Sequence, residues 1–362
     1  MDKYRLAELD GLRGVAILMI IASHYFSRFP DFYPYPPLWS HGGFGVHLFF
    51  MVSGFVIAMT LSKSATIWEF GIRRFSRLWP AMLICSIITF IAMRLIDNPF
   101  TEFRRVPVIG FLPSLTFTTP QLWKWLFPSA DYIDGAYWTM FVEIRFYFWA
   151  ALLYFLTGSR RLFVICFFLF AAATWSVYAA LLGLRLESLA KAWDIAFLSR
   201  HIALFAAGVL FHSAYADGYG RRKLLALLAC LVAAIIMTKD LYGAFATTLF
   251  FGVFTLFIYR RDWLRPLRNP VILWIGLSSY STYLLHQNIG VAIISGFDRS
   301  LPHAILYLMA FMTAAGVILT GIASFLLIEQ RTSAIKRFLM RIVPRSRDRR
   351  GADVVTGELR PS

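Results

Sequence analysis

The chain is built from long apolar runs separated by short basic clusters, and that alternation constrains the fold more than any single motif. A helix needs roughly 20 apolar residues to cross about 30 Å of hydrocarbon. About ten runs approach that length: Leu12–Phe26, Phe44–Leu61, Leu78–Ile96, Tyr137–Leu156, Leu162–Leu182, Ile195–His212, Leu224–Thr238, Phe245–Tyr259, Ile272–Ser295 and Ala304–Ile328. With 59% hydrophobic residues and only 15% charged, too few charges remain to coat a water-exposed surface. A soluble enzyme, a disordered chain and a secreted disulfide scaffold are therefore excluded. The pattern predicts an all-α polytopic integral membrane protein of about ten transmembrane helices. Residues 1–330 would form the transmembrane domain and 331–362 a basic tail.

Charge sets the expected orientation. The net charge is +16, but Lys and Arg fall in clusters between the apolar runs and not in one stripe, so nucleic acid is not an expected partner. Lys3, Arg5, Lys63, Arg73, Arg74, Arg77, Arg160, Arg161, Arg221, Arg222, Lys223, Arg260 and Arg261 would all lie on one side of the membrane. Positive charge stays cytoplasmic, which places both termini inside. The first run has no convincing small-residue cleavage site and is read as an uncleaved helix. In the tail, Ile335, Phe338, Leu339, Ile342 and Val343 recur at helical spacing, which predicts an amphipathic helix on anionic membrane lipids, with disorder beyond Pro344. The three cysteines, Cys85, Cys166 and Cys230, sit singly in apolar runs, so neither a disulfide nor a zinc site is expected.

Ionisable residues within the hydrocarbon are costly and need a reason. Arg13 and His24 are eleven residues apart, about 1100° of helix, so both project from one face roughly 16 Å apart. That face carries a fixed cation near the basic side and a titratable imidazole further out. Spacing alone also allows an ordinary interfacial anchor at Arg13 and an interfacial histidine at His24. Glu143 lies roughly 10–13 Å into its helix, where it could pair with Arg145 or a neighbouring span. Arg145, two positions on, faces away from Glu143 and needs another partner. His286 is expected at the depth of His24. Two imidazoles and a carboxylate at one level form a candidate proton-transfer group. His201 and His212, at span ends, and His41 and His303, in loops, are read as structural.

Leu9-Asp10-Gly11-Leu12-Arg13-Gly14 with His24, an Arg and a His separated by ten residues, resembles the opening signature of the membrane-bound acyltransferase family 3. The stretch from Gly45 to Phe55 resembles the second-span motif. Arg74 and Arg77 fall on its RxxR pair, with Arg73 beside them. Trp138 to Glu143, followed by Phe146 and Tyr147, resembles the Trp-to-Glu segment. Ser279 to His286 resembles the late Ser-Tyr-Ser-to-His motif, and Phe325 to Glu329 the closing one. One position departs: the second-span motif most often has Asp where this chain has His47. A role in orienting a base would then pass to another acid or to His47 itself.

The resemblance implies a transmembrane O-acyltransferase in the bacterial inner membrane. It would move an acyl group, commonly acetyl, from cytoplasmic acyl-CoA to a hydroxyl of a glycan or lipid-linked saccharide, alongside polysaccharide assembly proteins. No metal is implied. Arg13, Arg73, Arg74 and Arg77 would bind the CoA phosphates, and His24 would be the general base. Glu143 and His286 would complete the catalytic group, with His47, Trp138 and Ser279 toward the substrate. A chain ending after the last span would belong with stand-alone members that lack an extracytoplasmic esterase-like domain. The competing reading of the same buried charges is a transporter or flippase for a lipid-linked sugar.

Overall fold

The computed structural model describes residues 6–29, 33, 42–238 and 240–342, and among them it is helical with no strand. In chain order the helices are α1 (Ala7–Phe26), α2 (Gly45–Leu61), α3 (Ile67–Leu95), α4 (Pro99–Arg104), α5 (Phe111–Leu115), α6 (Gln121–Lys124), α7 (Trp138–Thr157) and α8 (Arg160–Gly183). They continue with α9 (Glu187–Phe197), α10 (Ile202–Asp217), α11 (Arg221–Thr238), α12 (Leu241–Tyr259), α13 (Pro270–Leu277), α14 (Ser279–Ser295), α15 (His303–Leu327) and α16 (Ser333–Ile342). Among the described residues, eight helical segments are long and apolar enough to cross a membrane, which makes this a multi-pass membrane protein.

Two expected spans are not among these eight. The run Leu224–Thr238 lies in α11, whose first turn is Arg221, Arg222 and Lys223. The run Ile272–Ser295 is divided: α13 ends at Leu277 and α14 starts at Ser279. The run Ile195–His212 is also interrupted, because Leu198 adopts a left-handed conformation between α9 and α10. Between α3 and α7 the chain folds into the short helices α4, α5 and α6. In the tail, α16 is helical as its periodicity predicts, and Phe338 is 63% exposed. Lys3, Arg5, His41, Val343 and the stretch beyond Pro344 lie outside the described residues.

Helices that carry the polar residues approach each other closely. At Gly276 on α13 an added Cβ would sit 1.8 Å from the Asp10 carbonyl oxygen, so α1 and α13 touch backbone to backbone just before Arg13. At Gly54 on α2 it would lie 2.3 Å from the Phe205 carbonyl of α10. Small residues are the usual means of such contact within a bilayer, where packing and not water exclusion joins helices. At the basic end, Glu8 is fully buried and accepts from Arg261 Nε and Nη2 at 2.6 Å and from Arg268 Nε at 2.7 Å. That clasp ties the start of α1 to the segment Arg261–Arg268.

Candidate active site

The site begins at the basic end, where α1, α3, α15 and α16 enclose a vestibule of about 570 Å³. Arg13, Arg73, Arg74, Arg77, Glu329 and Lys336 are among its walls. The vestibule narrows into a throat of about 60 Å³, and Arg13, Arg74 and Arg77 line both.

These guanidinium groups differ in how they are satisfied. Arg73 is held by Glu69 one helical turn earlier. Arg74 is 8% exposed, donates from Nη2 to Thr60 Oγ1 at 2.5 Å and lies over the rings of Phe70 and Tyr147. Its Nε is buried without a partner among the described residues. Arg77 forms no hydrogen bond or ion pair among them. Arg13 donates from Nε to Ser279 Oγ at 3.0 Å. An unpartnered buried donor is costly, and an anion in the throat would satisfy Arg74 Nε and give Arg77 a partner.

Further along the throat stand Glu143, Tyr147, Thr139 and Tyr283. Glu143 accepts from Ser53 Oγ at 2.7 Å and from the Tyr147 hydroxyl. It makes no ion pair with Arg145, whose guanidinium binds the Asp194 and Ile195 carbonyls at the end of α9 and covers the Phe141 ring at 4.0 Å. Nor does it hydrogen-bond to His24, so the carboxylate and the imidazoles occupy different parts of the passage.

His24 and His286 come together. Their ring centroids are 5.1 Å apart, with α1 supplying one ring and α14 the other. His286 is fully buried, and its Nδ1 lies 2.6 Å from the Tyr283 carbonyl oxygen. A carbonyl can only accept, so Nδ1 carries a proton, and in the neutral ring Nε2 then holds the lone pair. That Nε2 is buried with no partner among the described residues. Tyr25 donates to the His286 carbonyl at 2.9 Å and fixes the backbone beneath the ring. Helix α1 thus meets α14 twice, at Arg13 with Ser279 and at His24 with His286.

A carboxylate not singled out from the sequence secures this region. Asp134, just before α7, is fully buried; its Oδ1 accepts from Ala136 N and its Oδ2 from Asn288 N, both at 2.8 Å. Burial pushes its carboxyl up to about 6, against the opposing pull of those two amides. It therefore staples the entry of α7 to α14 two residues beyond His286.

The remaining candidates lie off this path. His47 Nδ1 is 3.1 Å from Thr247 Oγ1 on α12, and its ring meets Phe44 edge-on. Trp138 opens α7, with its ring 5.7 Å from His201. His212 packs edge-on against Phe55 and His303 opens α15. Ser53, Thr139 and Tyr283 were not identified from the sequence as site residues. Tyr283 was detectable in principle, three residues before His286 and hence on the same helical face; Ser53 and Thr139 carry no comparable signal. Among the described residues no group of His, Cys, Asp and Glu could hold a metal ion.

Comparisons with known proteins agree on one relationship. A family model described as an acyltransferase domain matches residues 6–328. An O-acetyl transferase of Shigella phage Sf6 is 29% identical over 150 residues, covering 38% of this chain and 43% of the phage protein. The peptidoglycan O-acetyltransferase OatA of Listeria monocytogenes is 30% identical over 162 residues, 40% of this chain and 24% of that protein. A Staphylococcus aureus protein, provisionally named an O-acetyltransferase, is 26% identical over 323 residues, 77% of this chain and 49% of its own length. The chain thus spans from about a quarter to about half of the curated relatives it matches. No solved structure matches it. With the cationic throat and the paired imidazoles within residues 6–328, this chain belongs to the membrane acyltransferase family 3.

Proposed function

We propose that the protein is a transmembrane O-acyltransferase that takes an acyl group, most simply acetyl, from acyl-CoA at its basic end and delivers it to a hydroxyl of a surface or exported glycan. The relatives named as O-acetyltransferases, one of them for peptidoglycan, support this reading. So does one structural observation above all. Three arginines line both the vestibule and the throat, and one of them, Arg13, shares its helix with an imidazole at the far end.

In this reading the chain crosses the inner membrane about ten times with both termini cytoplasmic, the α13–α14 pair making one broken crossing. The tail helix α16 rests on the inner leaflet beside the vestibule. Arg13, Arg74 and Arg77 bind CoA phosphates, with Arg73 at the rim. Guanidinium groups suit that task because their planar forks bind phosphate oxygens in pairs. The pantetheine arm extends into the throat and brings the thioester toward α14.

His24 acts as general base on the acceptor hydroxyl. The carbon–sulfur bond of the thioester breaks, a carbon–oxygen ester bond forms, and the hydroxyl proton passes through His24 to the departing CoA sulfur. His286 presents its free Nε2 beside His24, and Glu143 sets Tyr147 and offsets the positive charge around the throat. Ser279 holds Arg13 in place. Trp138 and His47 belong to the acceptor side in this scheme.

The test is transfer by purified protein in nanodiscs, given radiolabelled acetyl-CoA and candidate glycans. Free CoA thiol and labelled glycan should appear in equal amounts. Glycan crossing the bilayer with no CoA released would contradict the proposal and favour a transporter.

A further inference from the structure

The throat stops short of the imidazoles. His24 and His286 are not among its walls, whereas Tyr283 and Phe49 are. Tyr283 belongs to both compartments: it lines the throat, and its ring centroid is 5.1 Å from that of His286. Phe49, on α2, meets the Tyr283 ring edge-on at 6.1 Å. Two aromatic rings from different helices therefore form a partition between the cationic channel and the imidazole pair.

The partition is held by the polar groups around the entry of α7. The Thr139 hydroxyl donates to the Tyr283 oxygen at 2.9 Å, and the Tyr283 hydroxyl donates to the Ala136 carbonyl at 3.1 Å. Both partners belong to the entry of α7, which Asp134 staples to α14. Tyr283 is 6% exposed and so has little space in which to turn. A ring bonded at its tip and packed on its face is a fixed wall.

We infer that Tyr283, backed by Phe49, is the stop that limits the length of the transferred acyl group. This rests on reading the throat as the donor channel. The throat volume of about 60 Å³ holds only a few water-sized groups. An acetyl methyl against the partition sets its carbonyl carbon one bond short of the ring, the nearest approach to the imidazole end that the throat allows. Carbon–carbon bonds of about 1.5 Å mean that each added methylene pushes the carbonyl back toward the vestibule by about 1 Å or more. A misplacement of that size can cost about 100-fold in rate. Tyr283 acts through the placement of the thioester and takes no part in proton transfer, so it is a specificity-determining residue.

The experiment is acyl-chain selectivity in nanodiscs, with acetyl-, propionyl- and butyryl-CoA as donors. The readout is the ratio of kcat/KM for butyryl to that for acetyl. Because both donors meet the same variant, general damage to the protein cancels in this ratio. Tyr283→Leu should raise it at least about tenfold, the lower bound for one methylene in a shaped pocket. Tyr283→Phe keeps the ring and should keep the wild-type ratio. Phe49→Leu opens the partition from the other side and should shift the ratio in the same direction. Competition of butyryl-CoA against labelled acetyl-CoA for binding gives the same comparison without turnover. Wild-type acetyl transfer with unchanged selectivity in both leucine variants would overturn the stop alone. Wild-type protein that transfers from no acyl-CoA would overturn the donor-channel reading first, and the stop with it.

Discussion

The two ends of the passage solve opposite problems. The basic end is roomy and charged: a vestibule of about 570 Å³ leads to Arg13, Arg74 and Arg77, one with an unpartnered buried Nε. The imidazole end is tight: two rings 5.1 Å apart, a buried ring nitrogen without a partner, and backbone held by Tyr25 and Asp134. Cations that are to hold a phosphate-bearing donor bind it by charge. An imidazole that is to accept a proton must be neutral and held still. In the proposed scheme the difference separates binding from chemistry along one helix, with α1 carrying a residue for each and Tyr283 at the division.

The largest effect that would break this comparison on the basic side is Arg74→Ala. Hydrogen bonds to charged groups contribute about 1.5–3 kcal/mol each, so KM for acyl-CoA should rise roughly 10- to 100-fold while kcat changes little. Arg74→Lys should recover only part of this, because an ammonium cannot make the paired contact. Steady-state kinetics over a range of acyl-CoA concentrations checks the split, and a fall in kcat with KM unchanged would place Arg74 in the chemistry instead.

A smaller effect sharpens the imidazole side. The Asp134 carboxyl is raised from the ordinary 3.8 to about 6 by burial, so its protonated form favours the folded state. Its contribution to stability is complete below about pH 4 and is lost as pH rises through about 6. Asp134→Asn lacks this titration. Melting of the wild type in detergent should therefore fall relative to the variant between pH 4 and pH 6, with a constant difference above about pH 7. A difference that stays constant across the whole range would mean that Asp134 is not titrating as a buried acid.

Much of the all-helical architecture was legible because hydrophobic length is a local property of the chain. The shared face of Arg13 and His24 was legible for a similar reason: helical periodicity fixes angle within one segment, and both residues meet α14. Periodicity says which way a residue faces but not which helix it faces. Glu143 was open to pairing with Arg145, yet its partners include Ser53, on a helix 90 positions away. His47 likewise meets Thr247, 200 positions away. Glu8 carries no signal in the sequence, and the return of Arg261 and Arg268 to its side makes it a buried clasp. The break at Ser278 falls in the hydroxyl-rich stretch Ser278-Ser279-Tyr280-Ser281-Thr282, which a window averaged over the apolar residues on either side conceals.

The central claim is that binding and chemistry are divided between the two ends, and His24→Ala tests it most directly. Acyl-CoA binding and glycan acylation should be measured on the same nanodisc preparation at normal membrane levels. Acylation should fall at least about 100-fold, the scale of a lost general base, while the dissociation constant for acyl-CoA stays at the wild-type value. Full transfer by the variant, or loss of acyl-CoA binding in step with loss of transfer, would contradict the account.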